Sequence, residues 1–307
     1  MRFAASSLVR DVTRPFGHLE RKPARGRTLT VCVWDEASSG CRLPERPWPV
    51  SAHTTRGELR GYGDDGIKVA YGRGHHALNL LDRRRDRALF CTKEAATMIP
   101  QLWAYPLLTI LNWWMQDQAI QLAHLGAVGI GGQAVLLAGA GGSGKSSTAI
   151  SCLLEGFEYL GDDHCFLRRA DELEVFSAYS SGKLEKTFLQ RFPSLAPHAV
   201  MSGHPEARKA VVYFAELFPD RIERLGRVRA IVVPSLPTSD STILEPLRFA
   251  EAFRALATSF LIQTPGAGSR ELRNLRLLLE GVPTFRLRLG RDGRAGALIR
   301  RLLGGSG

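Results

Sequence analysis

The stretch "LLAGAGGSGKSSTAISCLLEGFEYLGDDHCFL", Leu136 to Leu167, decides how the rest of the chain is read. An apolar run enters a cluster of glycines, meets Lys145, becomes a helical pattern closed by Gly156, and ends on two adjacent aspartates. Gly139-Ala140-Gly141-Gly142-Ser143-Gly144-Lys145-Ser146 satisfies G-x-x-x-x-G-K-[ST], the pattern of a phosphate-binding loop. The apolar "AVLLA" before it reads as a buried strand and "SSTAISCLLEG" after it as a helix, the context that the pattern needs.

Each residue type in the loop has a physical reason. Phosphates bring several negative charges, and backbone N–H groups can surround them only where side chains do not obstruct. Glycines at 139, 141, 142 and 144 allow that approach and the positive φ angles of the loop. The helix that follows offers its unpaired N-terminal donors and the positive end of its dipole. Lys145 adds a mobile charge for the β- and γ-phosphates, and Ser146 offers a hydroxyl to Mg²⁺. Gly139, Gly141, Gly142, Ser143, Gly144, Lys145, Ser146 and Ser147 are therefore the expected nucleotide site, with ATP and Mg²⁺ as cofactors.

Asp162 and Asp163 follow a short apolar strand candidate, "FEYL", soon after the helix. At a strand end facing the phosphates, one carboxylate can hold Mg²⁺ through water while the other accepts a proton from an attacking hydroxyl. Another Asp-Asp pair, in Gly63-Asp64-Asp65-Gly66, reads instead as an exposed turn.

Moving outward, a chain of 307 residues that is 44% hydrophobic can bury a full core in one large domain or two. Residues 1–94 read as short strands and turns: "LTVCVWDE", "GELRGYGDDGIKVAYG" and "HALNLLD". From residue 95 helices and strands alternate. A helix containing Trp113-Trp114 continues through "DQAIQLAHLG". Strands follow at Ala134–Ala138, "HCFLR", "AVVYF", "RAIVVP" and "TFRLRL", with helices near Phe249–Ser259, Arg270–Glu280 and Ala295–Leu303. Such alternation argues for an α/β sheet with helices on its faces.

Five cysteines, an odd number with no Cys-x-x-Cys pair, suggest neither a disulfide framework nor a zinc site, and favour a reducing cytoplasm. The first residues lack the apolar stretch of a secretory signal. The longest uncharged run, Ala95 to Gln116, is long enough for a bilayer, but its two prolines, Asn112 and Gln101 favour a buried or interfacial helix and no membrane partner. The net charge is +11, with 18 basic against 11 acidic residues in the first 94. Only Arg83–Arg87 cluster, without interleaved aromatics, so nucleic acid is not the expected partner.

The segment His124 to Leu167 resembles the catalytic core of HPr kinase/phosphorylase, which has a histidine-glycine element, a P-loop, a helix and an Asp-Asp strand end. His124 stands 21 residues before Lys145 and Asp162 stands 17 after it, and both spacings match. The resemblance implies Asp162 as general base, Asp163 supporting metal and nucleotide, and His124 beside the phosphates. Leu125 separates the histidine from its glycine, Gly126, which departs from the family pattern. The family's downstream metal-binding glutamate has only Glu185, in "SSGKLEK", as a substitute, and Lys183 is a candidate contact for phosphate or substrate.

The chain is still more similar to the HPr-kinase-like tailoring kinases of lasso peptide pathways, through the double-Trp helix, "GGSGKSSTA", "GDDHC", "SSGKLEKTFLQRFP" and "VPTFRLRLG". The fold so implied is α/β: a P-loop sheet like the HPr kinase C-terminal domain, with flanking helices, over residues 95–307. A small β-rich region, residues 1–94, precedes it and is a candidate for substrate recognition. Two functions stay open. One is an ATP-dependent kinase acting on a Ser/Thr hydroxyl of a peptide or small protein, such as a lasso peptide precursor. The other is a nucleotide-binding regulator or scaffold with slow ATPase activity. By family analogy the chain forms a homo-oligomer.

Overall fold

The computed structural model describes residues 1–21, 26–43, 48–52, 59, 63–72, 77–98, 100–201, 209–236, 240–264 and 267–304. Within the first 94 residues, β1 (Arg2–Phe3), β2 (Thr30–Asp35), β3 (Ile67–Gly72), β4 (Ala77–Asp82) and β5 (Arg87–Thr92) form a sheet in the order β1-β2-β5-β4-β3. Alternate residues of β2, including Val31 and Val33, are buried, the period expected of a strand with one face on a core. The β4–β5 turn is held by Asp82, whose Oδ1 accepts from the Arg84 and Arg85 amides. The strand expected across Gly57–Tyr62 lies outside the described residues except for Leu59, as does His76.

The remainder supplies β6 (Gln121–Ala123), β7 (Gly126–Ile130), β8 (Gln133–Leu137), β9 (Glu158–Gly161), β10 (Cys165–Arg169), β11 (Leu173–Ser177), β12 (Ser181–Glu185), β13 (Lys209–Tyr213), β14 (Leu225–Ser235), β15 (Ile243–Pro246) and β16 (Thr284–Arg288). Seven of these run β6-β10-β11-β14-β8-β7-β9, with β16 added to β14 and β15 to β16, while β12 and β13 pair separately. The architecture is α/β, and helices Lys145–Leu154, Phe249–Gln263, Ser269–Leu279 and Ala295–Leu302 cover the sheet. Only β14 with β8 and β14 with β16 are parallel in this sheet; the rest of its ladders are antiparallel. Hairpins account for that. The β7–β8 turn is Gly131-Gly132, both at positive φ, the two-residue turn that antiparallel strands favour.

One antiparallel pair carries the site. β6 pairs with β10 from Ala123↔Cys165, and β7 pairs with β9 from Ala127↔Gly161. The two ladders flank the break in one register, which shifts only after Ala127, so β6–β7 and β9–β10 act as two long strands that break opposite each other. The breaks fall at His124-Leu125 and at Asp162-Asp163-His164. There the backbone leaves the ladder and side chains gather.

The helix expected through "DQAIQLAHLG" does not form. The uncharged run breaks into helices Pro100–Trp103 and Leu108–Gln116, with Leu107 left-handed at φ 60°. After Gln116 the chain turns through Ala119, also left-handed at φ 56°, and enters β6, because Gln121 to Ala123 complete a ladder with β10. Trp103, Leu107, Ile110 and Trp113 pack into one core with Leu8, Val33, Leu81 and Phe90 of the first sheet and its helix. No helix among the described residues is long and apolar enough to cross a membrane.

Candidate active site

β8 delivers the glycine loop, and the helix Lys145–Leu154 leaves it. Gly139, Gly142 and Gly144 have φ of 149°, 80° and 101°, so these are the positions where a side chain would strain the loop. A Cβ on Gly141 or Gly142 would meet nothing within 4 Å, while one on Gly139 would strike Ser143 Oγ at 2.6 Å. The amides of Gly141, Gly142 and Gly144 find no backbone acceptor among the described residues, and Ser143 Oγ is buried without a hydrogen-bond partner. Open donors around a concave, side-chain-free loop fit a phosphate chain. Lys145 is 5% exposed; its ammonium donates to the carbonyls of Gly139 (2.8 Å) and Ala140 (3.1 Å). Burial lowers its pKa, and the charges of Asp163 and Asp162 oppose that. Ser146 and Ser147 lie half-buried in the first turn of the helix.

The aspartates sit two strands away. Leu137 of β8 is opposite Gly126 of β7, and a Cβ on Gly126 would lie 3.4 Å from Asp162 Cα. At about 4.8 Å per strand, the loop begins roughly 10 Å from Asp162. Asp162, only 1% exposed, accepts from the Tyr105 hydroxyl at 2.9 Å and from the Lys183 amide at 3.3 Å. Asp163 accepts from the same hydroxyl at 3.2 Å and lies 3.3 Å from Lys183 Nζ and 3.4 Å from His124 Nε2. The Lys183 ammonium also stands over the Tyr105 ring, 4.2 Å from its centroid. His164 packs edge-on against Tyr105 and lies opposite His124, with ring centroids 5.4 Å apart.

These contacts divide the pair electrostatically. Burial pushes Asp162 up to about 7, the charge of Asp163 adds to it, and the Tyr105 and Lys183 hydrogen bonds pull the other way. Burial opposes ionisation of Asp163 as well, but Lys183 and His124 outweigh it and hold this carboxyl well below its usual range. Tyr105 is pushed far up by burial and by Asp162, so it stays protonated and donates. Burial and the His124 charge push His164 well below the usual imidazole range, so it is neutral. One proton acceptor near neutral pH beside one fixed anion is the division that acid–base chemistry uses.

The break thus brings together Asp162, Asp163 and His124, with the glycine loop two strands off. Glu185 stays apart: it is exposed at the end of β12, 3.9 Å from Lys209. Sequence reasoning passed over Tyr105 and His164. Tyr105 is 57 residues from Asp162 in an apolar run, and no local pattern marks it. His164, directly after the aspartates, carried a signal only in its adjacency. Among the described residues no group of three or more His, Cys, Asp or Glu forms a metal cluster. Magnesium does not need one, since it keeps several waters and takes one or two carboxylates beside phosphate; an ionised Asp163 and the Ser146 hydroxyl fit that donor set.

Among solved structures the chain is similar to the HPr(Ser) kinase/phosphatase from Coxiella burnetii, at 14% identity and a TM-score of 0.31, over 60% of this chain and 94% of that one. A likeness at that level of superposition carries no argument about chemistry. No family model matches the chain. No curated protein matches it either.

Proposed function

We propose that the protein is a P-loop phosphotransferase that moves the γ-phosphate of ATP to a serine or threonine hydroxyl of a peptide or small protein. The observation that carries this reading is Asp162: a buried carboxyl pushed up to about 7, at a strand break two strands from the glycine loop, held by Tyr105 and backed by an ionised neighbour. A regulator or scaffold has no need of a proton acceptor there. The sequence resemblance over His124–Leu167 supports the same chemistry, and the wider resemblance favours a lasso peptide precursor as acceptor.

In this reading the amides of the glycine loop cradle the phosphates, and Lys145 exchanges the carbonyls of Gly139 and Ala140 for phosphate oxygens. The acceptor oxygen forms a bond to the γ-phosphorus, the bond from that phosphorus to the β,γ-bridging oxygen breaks, and the acceptor proton passes to Asp162. Lys183 and His124 hold Asp163 as an anion beside the reaction. Magnesium, held by Ser146 and Asp163, would neutralise charge on the phosphates when bound.

Asp162→Asn keeps size and removes the base, so nucleotide binding by calorimetry stays near wild type while transfer of labelled γ-phosphate to a serine peptide falls about a hundredfold or more. Unchanged transfer in the variant defeats the base assignment. Tight ATP binding by the wild type with no transfer to any hydroxyl acceptor replaces the kinase with a nucleotide-dependent regulator.

A further inference from the structure

A cavity of about 960 Å³, with no residue of the glycine loop in its lining, lies between the first sheet, the end of helix Leu108–Gln116, β6, the end of β10 and helix Ser269–Leu279. That is the upper end of the roughly 300–1,000 Å³ that ligand pockets occupy. Its charges are unequal. Six lining residues are cationic and three are acidic, and two of the acids are already paired: Asp117 with Arg83, and Glu271 with Arg270 while accepting the Gly268 amide at 3.0 Å; the charge of the third, Asp65, acts on Arg83. Arg27 is taken by Asp86 at 2.8 Å.

Three cations are left over. Lys68 comes from β3, Arg84 from the β4–β5 turn and Arg169 from the end of β10. None has a carboxylate in ion-pair distance among the described residues; Arg169 bonds instead to the carbonyls of Leu278 and Glu280. Three cations outside any ion pair, from three separate elements, thus line one cavity across the junction of the two sheets, with the charge of Asp64 acting on Arg84 alone. We infer that this groove binds an acidic, extended peptide segment, which on the kinase reading above belongs to the acceptor.

The lining distinguishes a peptide from a nucleic acid. The one aromatic residue of the lining, Trp113, is 4% exposed and cannot stack on a base, and Asp65 interrupts the track that a continuous phosphodiester chain would need. A peptide places carboxylates only where cations are, and Leu277, 64% exposed beside them, offers an apolar contact between the charges. The groove is also within reach of the chemistry. Gln121 lines it and begins β6, and His124 follows three residues on, about 10 Å along the strand. The acidic segment should therefore lie roughly three to six residues from the phosphorylated hydroxyl.

The test uses the full chain and fluorescein-labelled serine peptides that carry Glu-Leu-Glu on either side of the serine, with Gln-Leu-Gln controls. At about 50 mM salt, anisotropy should give an acidic peptide at least about tenfold the affinity of its control, and about 500 mM salt should erase the difference. Lys68→Glu and Arg84→Glu should each weaken the acidic peptide about fivefold. The double variant should instead prefer a Lys-Leu-Lys peptide, a gain that a misfolded protein cannot show. Equal affinity for acidic and neutral peptides overturns the inference, and so does more effective displacement by single-stranded DNA than by unlabelled acidic peptide. Phosphate transfer is read separately. Equal transfer to both peptides with equal binding defeats the groove and leaves the kinase standing. Acidic binding of the predicted kind with no transfer leaves the groove and defeats the kinase.

Discussion

Tyr105→Phe removes the side-chain hydrogen bond that opposes the burial of Asp162. The phenol shares its proton between Asp162 at 2.9 Å and Asp163 at 3.2 Å, and the ring itself packs against His164 and Tyr179. Phenylalanine keeps the ring and removes the donor. A hydrogen bond to an ionised group contributes about 1.5–3 kcal/mol; divided between two acceptors this leaves about 0.8–1.5 kcal/mol, and the upper end, about 1.4 kcal/mol, goes to Asp162 as the nearer acceptor. That equals about one pH unit. The bond favours the ionised form, so its loss moves Asp162 from about 7 towards about 8. A base must be ionised to act, so transfer rises with pH through this value, and the variant needs a higher pH for the same rate. At pH 7 the ionised fraction falls from about half to about one tenth, a loss of about fivefold, and the two proteins converge above roughly pH 9. The assay is γ-phosphate transfer to a serine peptide from pH 6 to 9.5, with nucleotide affinity measured at each pH. A rising limb at the wild-type position, or a loss that is the same at every pH, refutes the coupling of Tyr105 to Asp162.

Lys145→Ala should cut transfer about a hundredfold or more, because positioning and charge stabilisation carry phosphoryl transfer; unchanged turnover counts against the phosphate loop as the reacting site. Asp162→Asn should also change stability with a definite sign. A carboxyl raised in the folded state costs nothing below its unfolded value, near 3.8, and destabilises increasingly as pH climbs to about 7. The variant should therefore gain thermal stability over wild type at pH 8 and show little gain at pH 4, and the opposite trend on melting counts against a buried, raised Asp162. Leu81→Ala, at a fully buried position of the first core, should lower stability by about 2–5 kcal/mol in denaturant titration.

The phosphate loop was legible because its glycines, lysine and serine are dense, ordered and flanked by a strand and a helix, and the aspartates because they end the next strand. Other features were hidden by length. β6 is three residues and β7 is five, two of them glycine, too short for a periodic signal; the Gly131-Gly132 turn between apolar runs was the available clue to the hairpin. The continuation of the Trp113 helix failed because "QLA" gains a ladder with β10 that no local preference encodes. Tyr105 was beyond reach for the same reason: its meaning lies in a partner 57 residues away. Lys183 was legible as a candidate contact for phosphate or substrate, but its place beside Asp163 comes from the β12–β13 pairing and the close packing of Gly182 on Asp162 and Phe214.

The five residues from Trp103 to Leu107 belong to two neighbourhoods at once. Trp103 and Leu107 are anchored among the side chains of the first sheet, while Ala104 and Tyr105 are anchored beside the aspartates. The setting of Asp162 is therefore leased from a part of the chain remote from the glycine loop. Residues 1–94 cannot be exchanged for another segment as a cassette without resetting Tyr105, nor can the uncharged run be redesigned without loosening the first sheet. The groove-facing turn that carries Arg84 lies outside both anchors, so a charge there can be altered without disturbing either.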